Sequence, residues 1–222
     1  MKRSLIQMMK SFYVLLSCLI SFCPIYGQNK MNDALIYVEL DQKIGYINFD
    51  GEVIIPLEYE AVGGFSENLV AVNQGGVKED YELKGGKWGF LNREGKVIIP
   101  LKYEDVQVFQ ESLVAVKQHG KYGFIDSRDQ VIIDFQYEDV QGFQEGLAAV
   151  KKDGQWGFID RKGNWIIPPS YHRVENFNQG FSVVFHLREV AEYEDDGEIY
   201  TEEYGAYGLM DKTGHVKLDT LY

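Results

Sequence analysis

The sequence predicts an all-β protein, built as a repeat array of antiparallel β-meander modules. Three observations carry this. A 34-residue period runs down most of the chain, each period holds several short runs rich in Val, Ile, Tyr and Phe, and glycine or glycine-polar turns separate many of those runs. The period is counted from an aromatic–glycine–apolar triplet, as in Lys87-Trp88-Gly89-Phe90, Lys121-Tyr122-Gly123-Phe124 and Gln155-Trp156-Gly157-Phe158. Weaker copies are Lys43-Ile44-Gly45-Tyr46 and Ala206-Tyr207-Gly208-Leu209. The glycines Gly45, Gly89, Gly123, Gly157 and Gly208 are separated by 44, 34, 34 and 51 residues, so the first interval carries 10 extra residues and the last 17.

Each element can be justified in order. The triplet run is strand a. Neighbours alternate faces, so Trp88 and Phe90 share one face while Gly89 and Leu91 share the other. Glycine there is expected to let a second layer or a neighbouring ring approach closely. A polar turn with glycine follows, as in Asn92-Arg93-Glu94-Gly95, and leads to strand b, Val97-Ile98-Ile99-Pro100. Proline lacks a donor, so Pro56, Pro100 and Pro168 are expected at the strand exit. Segment c, Tyr103-Glu104-Asp105-Val106 to Phe109, has its apolar residues three apart and reads as a short bulged strand or a turn. Strand d is Leu113-Val114-Ala115-Val116, and a short turn such as Lys152-Asp153-Gly154 returns to strand a. The chain enters at Leu35-Ile36-Tyr37-Val38-Glu39-Leu40, which aligns with strand d. The expected module is therefore d-a-b-c, in about five copies with the last truncated. Four strands per unit also suit a five-bladed β-propeller, which stands as the alternative closure. The period would suit paired-helix repeats too, but these short runs carry no helical stripe.

The recurring triplet, the Val-Ile-Ile-Pro run, the Tyr-Glu-Asp-Val segment and the Phe-x-x-x-Leu segment together resemble the WG-repeat (KWG-repeat) family over roughly Leu35 to Asp219. Ile44 stands in place of Trp in the first copy, Asp134 in place of proline in the third, and the fifth stops after its second strand. The resemblance implies repeated β-structure, often in bacterial surface or envelope proteins. It implies no reaction and supplies no catalytic residues.

Residues 1–27 read as a secretory signal peptide: basic Lys2, Arg3 and Lys10, an apolar stretch from Phe12 to Ile20, and a break at Pro24 ending in Gly27. The apolar core is short of the roughly 20 residues that a membrane span needs. Leu15-Leu16-Ser17-Cys18 loosely resembles a lipobox, which leaves lipid attachment at Cys18 or Cys23 as an alternative. An exported chain, periplasmic, cell-surface or secreted, is therefore expected, with residues 28–222 as the repeat domain. Both cysteines fall in the leader, so stability of the mature chain must come from packing rather than disulfides. Without the leader's three basic residues the chain holds 19 basic and 34 acidic residues, net −15. That charge argues against nucleic-acid phosphates and anionic membranes as partners.

Chemical constellations are sparse. His119, His172, His186 and His215 sit at no metal-ligand spacing and read as surface turn residues. No Gly-x-Ser-x-Gly elbow or phosphate loop occurs, so neither an enzymatic activity nor a cofactor is expected. The pairs Glu104-Asp105 and Glu138-Asp139 recur with the repeat and read as solvent-facing. The anchors Gly45, Trp88, Gly89, Tyr122, Gly123, Trp156, Gly157, Tyr207 and Gly208 read as structural. A sugar-stacking row of Trp88, Tyr122, Trp156 and Tyr207 is the alternative, and would make the protein a carbohydrate-binding module. The two insertions, Gly76–Gly85 and the stretch between Phe185 and Ala206, read as solvated hairpin extensions or as loops that bind a protein or glycan partner, since loops on one face of an array usually carry function. The candidate partner-binding residues are Trp165, which replaces a valine-type position and reads equally as core filling, and Tyr193, Glu194, Asp195, Asp196 and Glu198. The acidic stretch has calcium-type oxygen donors but not the spacing of an EF-hand loop, so no metal is assigned. The expected role is an interaction or scaffolding module.

Overall fold

A computed structural model describes residues 34–80, 82–195 and 198–221. The signal-peptide expectation for residues 1–27, including Cys18 and Cys23, lies outside the described residues, as does Asp196. The described chain is all-β, with small antiparallel sheets in succession and none closing on itself. It divides into two compact units, Met1–Glu58 and Tyr59–Tyr222.

The first unit holds a three-stranded sheet in the order β1 (Ile36–Leu40), β2 (Lys43–Ile47), β3 (Val53–Tyr59). The second holds four four-stranded sheets. Sheet 2 is β4 (Ala61–Ser66), β5 (Leu69–Glu79), β6 (Glu82–Asn92) and β7 (Val97–Tyr103). Sheet 3 is β8 (Asp105–Val106), β9 (Val114–Gln118), β10 (Lys121–Ile125) and β11 (Val131–Tyr137). Sheet 4 is β12 (Asp139–Val140), β13 (Leu147–Lys152), β14 (Gln155–Asp160) and β15 (Trp165–Tyr171). Sheet 5 is β16 (Arg173–Val174), β17 (Phe181–Asp195), β18 (Glu198–Asp211) and β19 (Val216–Leu221). Each four-stranded sheet therefore runs c-d-a-b. Strand c pairs with the strand d that follows it, as in Val106↔Val116, so the hydrogen-bonded unit is phased one strand earlier than the d-a-b-c grouping. The single residue Glu104 between β7 and β8 carries the chain from one sheet to the next.

Proline does not end strand b. The strand runs through Pro100 to Tyr103, and its register against strand a jumps from Phe90↔Ile99 to Trp88↔Tyr103. Two extra residues of strand b thus bulge over Gly89. Sheets 3 and 4 repeat the bulge over Gly123 and Gly157. Strand b is an edge of its sheet, which is where proline is tolerated. The bulge also corrects the reason for the glycine. A Cβ on Gly89 would meet the Ile99 carbonyl oxygen at 2.6 Å and the Leu101 nitrogen at 2.8 Å. Main chain, not a ring, makes the close approach. Gly208 is opposed in unbroken register by Asp219, so the fifth copy has no bulge there.

In the second unit the core lies between consecutive sheets, which explains the continuous apolar run of strand d. Val114 and Val116 pack toward sheet 2, whereas Ala115 packs toward sheet 4. The joint is the same each time: a strand-a Phe meets the Phe that follows the next strand c, edge-on. Phe90–Phe109, Phe124–Phe143 and Phe158–Phe177 have centroids 5.1, 4.9 and 4.8 Å apart.

Polar side chains complete the frame. In all five a–b turns one acceptor oxygen, from Asn48, Asn92, Asp126, Asp160 or Asp211, takes two backbone N–H bonds. The Glu of the Tyr-Glu-Asp-Val segment accepts from the d–a turn: Glu60 from Gly75, Glu104 from His119 and Gly120, Glu138 from Gly154. A third set links sheets, with Glu67, Glu111 and Glu145 accepting from Ser112, Gly146 and Gly180 of the following unit. The recurrent Glu104 and Glu138 are thus turn caps, not merely solvent-facing charges.

Candidate functional site

Both insertions are long β-hairpins that prolong strands d and a. In sheet 2 the pairing of β5 with β6 continues to Glu79↔Glu82. At its root, fully buried Asn73 takes the place that Lys117 and Lys151 hold in the next sheets, opposite Trp88. Its Nδ2 donates to the Gly85 carbonyl at 3.3 Å, and side chains on Gly76 or Gly86 would collide with its Oδ1. Glycine at those positions is therefore what admits a buried amide at the root of the hairpin.

In sheet 5 the pairing of β17 with β18 runs to Asp195↔Glu198, with one register shift between Leu187 and Glu189. Tyr193 stands opposite Tyr200 and Glu194 opposite Ile199. The candidate residues Tyr193, Glu194, Asp195 and Glu198 are thus at the hairpin end as backbone positions; their side chains lie outside the described ones. Exposed apolar surface on this hairpin includes Val190 at 48%, Tyr200 at 41% and Tyr204 at 45%. Its root is a polar–aromatic cluster that sequence reasoning missed. Glu203 lies 3.0 Å from His172 Nε2 and 3.1 Å from Arg173, and Arg173 sits over the Phe185 ring at 4.5 Å. His186 is not a turn residue, since it lies within β17, whereas His172 occupies the one-residue bend between β15 and β16. The signal was not legible because Glu203 and His172 are 31 residues apart.

Trp165, the other candidate, begins β15 away from both hairpins. Its half-buried ring packs edge-on against Tyr137 of the preceding sheet, 6.0 Å between centroids. Of the aromatic row, Tyr122 is buried, Trp88 and Trp156 are half-buried against core clusters, and Tyr207 is 42% exposed with its ring 4.7 Å from Phe185. Between sheets, Tyr103 donates to Asp129 at 2.6 Å and Lys102 pairs with the same carboxylate; burial, then that bond, push the Tyr103 phenol well above its ordinary value. Tyr122 donates to Asp105 and is raised for the same reasons in the same order. Among the described residues no group of three or more His, Cys, Asp or Glu is placed to hold a metal ion, and no helix is long and apolar enough to cross a membrane.

Fold and site together define an all-β repeat protein with two hairpin excursions. A family model for the WG containing repeat matches residues 44–77, 88–122, 122–156 and 156–185, more than half of the chain, and this chain belongs to the WG-repeat family. A search among curated proteins finds no match. Among solved structures, a crystal structure of the eukaryotic initiation factor is similar with a TM-score of 0.46 and 11% identity, over 91% of this chain and 67% of that one.

Proposed function

We propose that this chain is an exported, non-enzymatic repeat protein that serves as an interaction or scaffolding module in the bacterial envelope or outside the cell. The observation that carries the reading is the β17–β18 hairpin, which runs past the repeat and bears exposed Val190, Tyr200 and Tyr204. Apolar and aromatic surface of this kind is what protein interfaces use. The hairpin is rich in acid, with Glu189, Glu192, Glu194, Asp195, Asp196, Glu198, Glu202 and Glu203. Its partner is a protein with a basic surface. Export rests on the leader-like residues 1–27.

The test replaces His186–Gly205 with Lys-Asp-Gly. The register supports the splice, because Phe185↔Tyr207 corresponds to Lys151↔Trp156, where Asp153-Gly154 closes the turn. Loop length costs little free energy, so the protein should keep its β-sheet circular dichroism. Capture of partners from an envelope fraction should fall. Unchanged capture would remove the hairpin as the recognition element, and loss of folding would show that it completes the core.

A further inference from the structure

The β17–β18 hairpin outruns the strands beside it. Strand c of sheet 5 pairs with β17 only as far as Phe185, and β19 pairs with β18 only from Ala206 onward. Among the described residues, the pairs from Glu189↔Tyr204 to Asp195↔Glu198 therefore form a ribbon of two strands with no third. Such a ribbon is marginally stable alone and gains stability by lying on another surface. Tyr200 and Tyr204 share one face of it with Glu189, which stands opposite Tyr204. Glu203, on the other face, is held by His172 and Arg173, so the tyrosine face is turned away from those two residues. From Glu189 to Tyr204 there are eight acidic residues and no basic one. Two such hairpins repel each other, and a complementary surface has to set bases beside apolar groups.

The second unit carries such a surface at the opposite end of its strands. The hairpin prolongs a d–a turn, whereas the a–b turns lie at the far end of strand a, about 17 Å away for a five-residue strand. These turns step from sheet to sheet along the strand-b side. Asp129 of sheet 3 accepts from Tyr103 of sheet 2 at 2.6 Å. A Cβ on Gly163 of sheet 4 would lie 3.4 Å from Ile133 of sheet 3, and one on Gly214 of sheet 5 would lie 3.4 Å from Ile167 of sheet 4. Strand b begins there with exposed aliphatic side chains: Val97 and Val131 at 47% and 49%, Ile132 and Ile166 at 42% each. Exposed Lys96, Arg128, Arg161 and Lys162 flank them. Of these, Lys96, Arg128 and Arg161 have no ion-pair partner among the described residues. The neighbouring acids are mostly engaged. Asp126 and Asp160 accept turn N–H groups, and Asp129 is taken by Lys102 and Tyr103, which leaves Glu94 in the turns and Asp134 in strand b.

We infer, building on the reading of the hairpin given above, that this strand-b surface receives the β17–β18 hairpin of a second copy of the chain. The Tyr200–Tyr204 face lies over Ile132 and Ile166, with the hairpin carboxylates among Arg128 and Arg161. Apolar contact supplies affinity, and the opposed charges supply on-rate and register. Hairpin and surface sit at opposite ends of the strands, so the hairpin points away from the surface of its own chain. The contact is therefore heterologous. Each copy docks on the next and still offers one hairpin and one surface, which builds open chains or closed rings.

Sedimentation velocity of the exported chain should show a mass that rises with concentration beyond a dimer. Association should weaken at least about tenfold between about 50 mM and about 500 mM salt. One variant carries Arg128→Glu with Ile132→Glu, and a second carries Tyr200→Glu with Tyr204→Glu. All four sites are exposed, and circular dichroism checks each fold. The chain with His186–Gly205 replaced by Lys-Asp-Gly serves as a further partner without the hairpin. Each variant alone should be monomeric. The surface variant mixed with the tyrosine variant, or with the hairpin-less chain, should form a one-to-one dimer that grows no further, because one keeps its hairpin and the other its surface. The inference is overturned if the wild type stays monomeric up to its solubility limit, if the mixtures do not dimerise, or if either variant self-associates like the wild type. Absent self-association together with envelope capture that still needs the hairpin would overturn it too, while leaving the hairpin's recognition role standing. So would binding to phosphatidylglycerol vesicles that the Arg128→Glu, Ile132→Glu variant loses, if no self-association accompanied it.

Discussion

A methyl group on Gly123 would lie 2.7 Å from the Ile133 carbonyl oxygen and 3.0 Å from the Phe135 nitrogen. Both are main-chain atoms held in a bulge, so neither can swing away. Gly123→Ala should cost about 2–4 kcal/mol, measured as a shift in urea midpoint. Gly64→Ala, in β4 with nothing within 4 Å, should change stability by less than about 0.5 kcal/mol. Equal shifts would refute the backbone-contact argument. The position of this glycine was legible from the triplet. Its cause was not, because the two extra residues of strand b leave no mark in a local apolar pattern.

At the scale of elements, the joint between neighbouring sheets is an aromatic pair with a repeated address. Phe124→Leu and Phe143→Leu should each destabilise, and the double mutant should reveal a coupling of about 0.5–1.5 kcal/mol. Phe124→Leu combined with Phe177→Leu, from a different joint, should be additive within about 0.5 kcal/mol. The turns carry their own signature. The Asn164 side chain, then the N–H groups of Asn164 and Lys162, hold the Asp160 carboxyl below its ordinary 3.8. Thr213 does the same for Asp211, and the Gly120 N–H followed by that of His119 holds Glu104 below 4.5. A depressed folded value means that the stabilisation is complete above the ordinary carboxylate value and is lost as pH falls through the folded one. Asp160→Asn should therefore lower stability modestly at neutral pH, because the new Nδ2 cannot accept from the Asn164 side chain, while the two backbone bonds survive as they do at Asn48 and Asn92. It should flatten the fall in urea midpoint below about pH 4. Part of the acidic excess is, at these positions, a set of turn caps. The recurrent Glu104 and Glu138 were visible in sequence, but nothing there distinguishes a capping carboxylate from a solvated one.

For the whole molecule, the leader-like residues 1–27 predict processing. Mass spectrometry of the exported protein should find an N-terminus at or near Gln28, and full-length protein retained in the cytoplasm would contradict export. The mature chain would then have no cysteine. Reducing agent should leave its thermal midpoint unmoved, as expected where repeated sheet-to-sheet packing supplies stability.

The sequence by itself determined the period, the order of strands and turns, the two insertions and the family, because each is written in residues a few positions apart and repeated. The tertiary structure decided which strands share a sheet, why glycine sits under strand b, and how Glu67 reaches Ser112 across 45 residues. Strand pairing is the physical reason. A strand-c residue can satisfy its backbone with the strand before or the strand after, and the alternation of side chains is the same in both cases. Only the packed sheets show that it pairs forward, with the strand d that follows it.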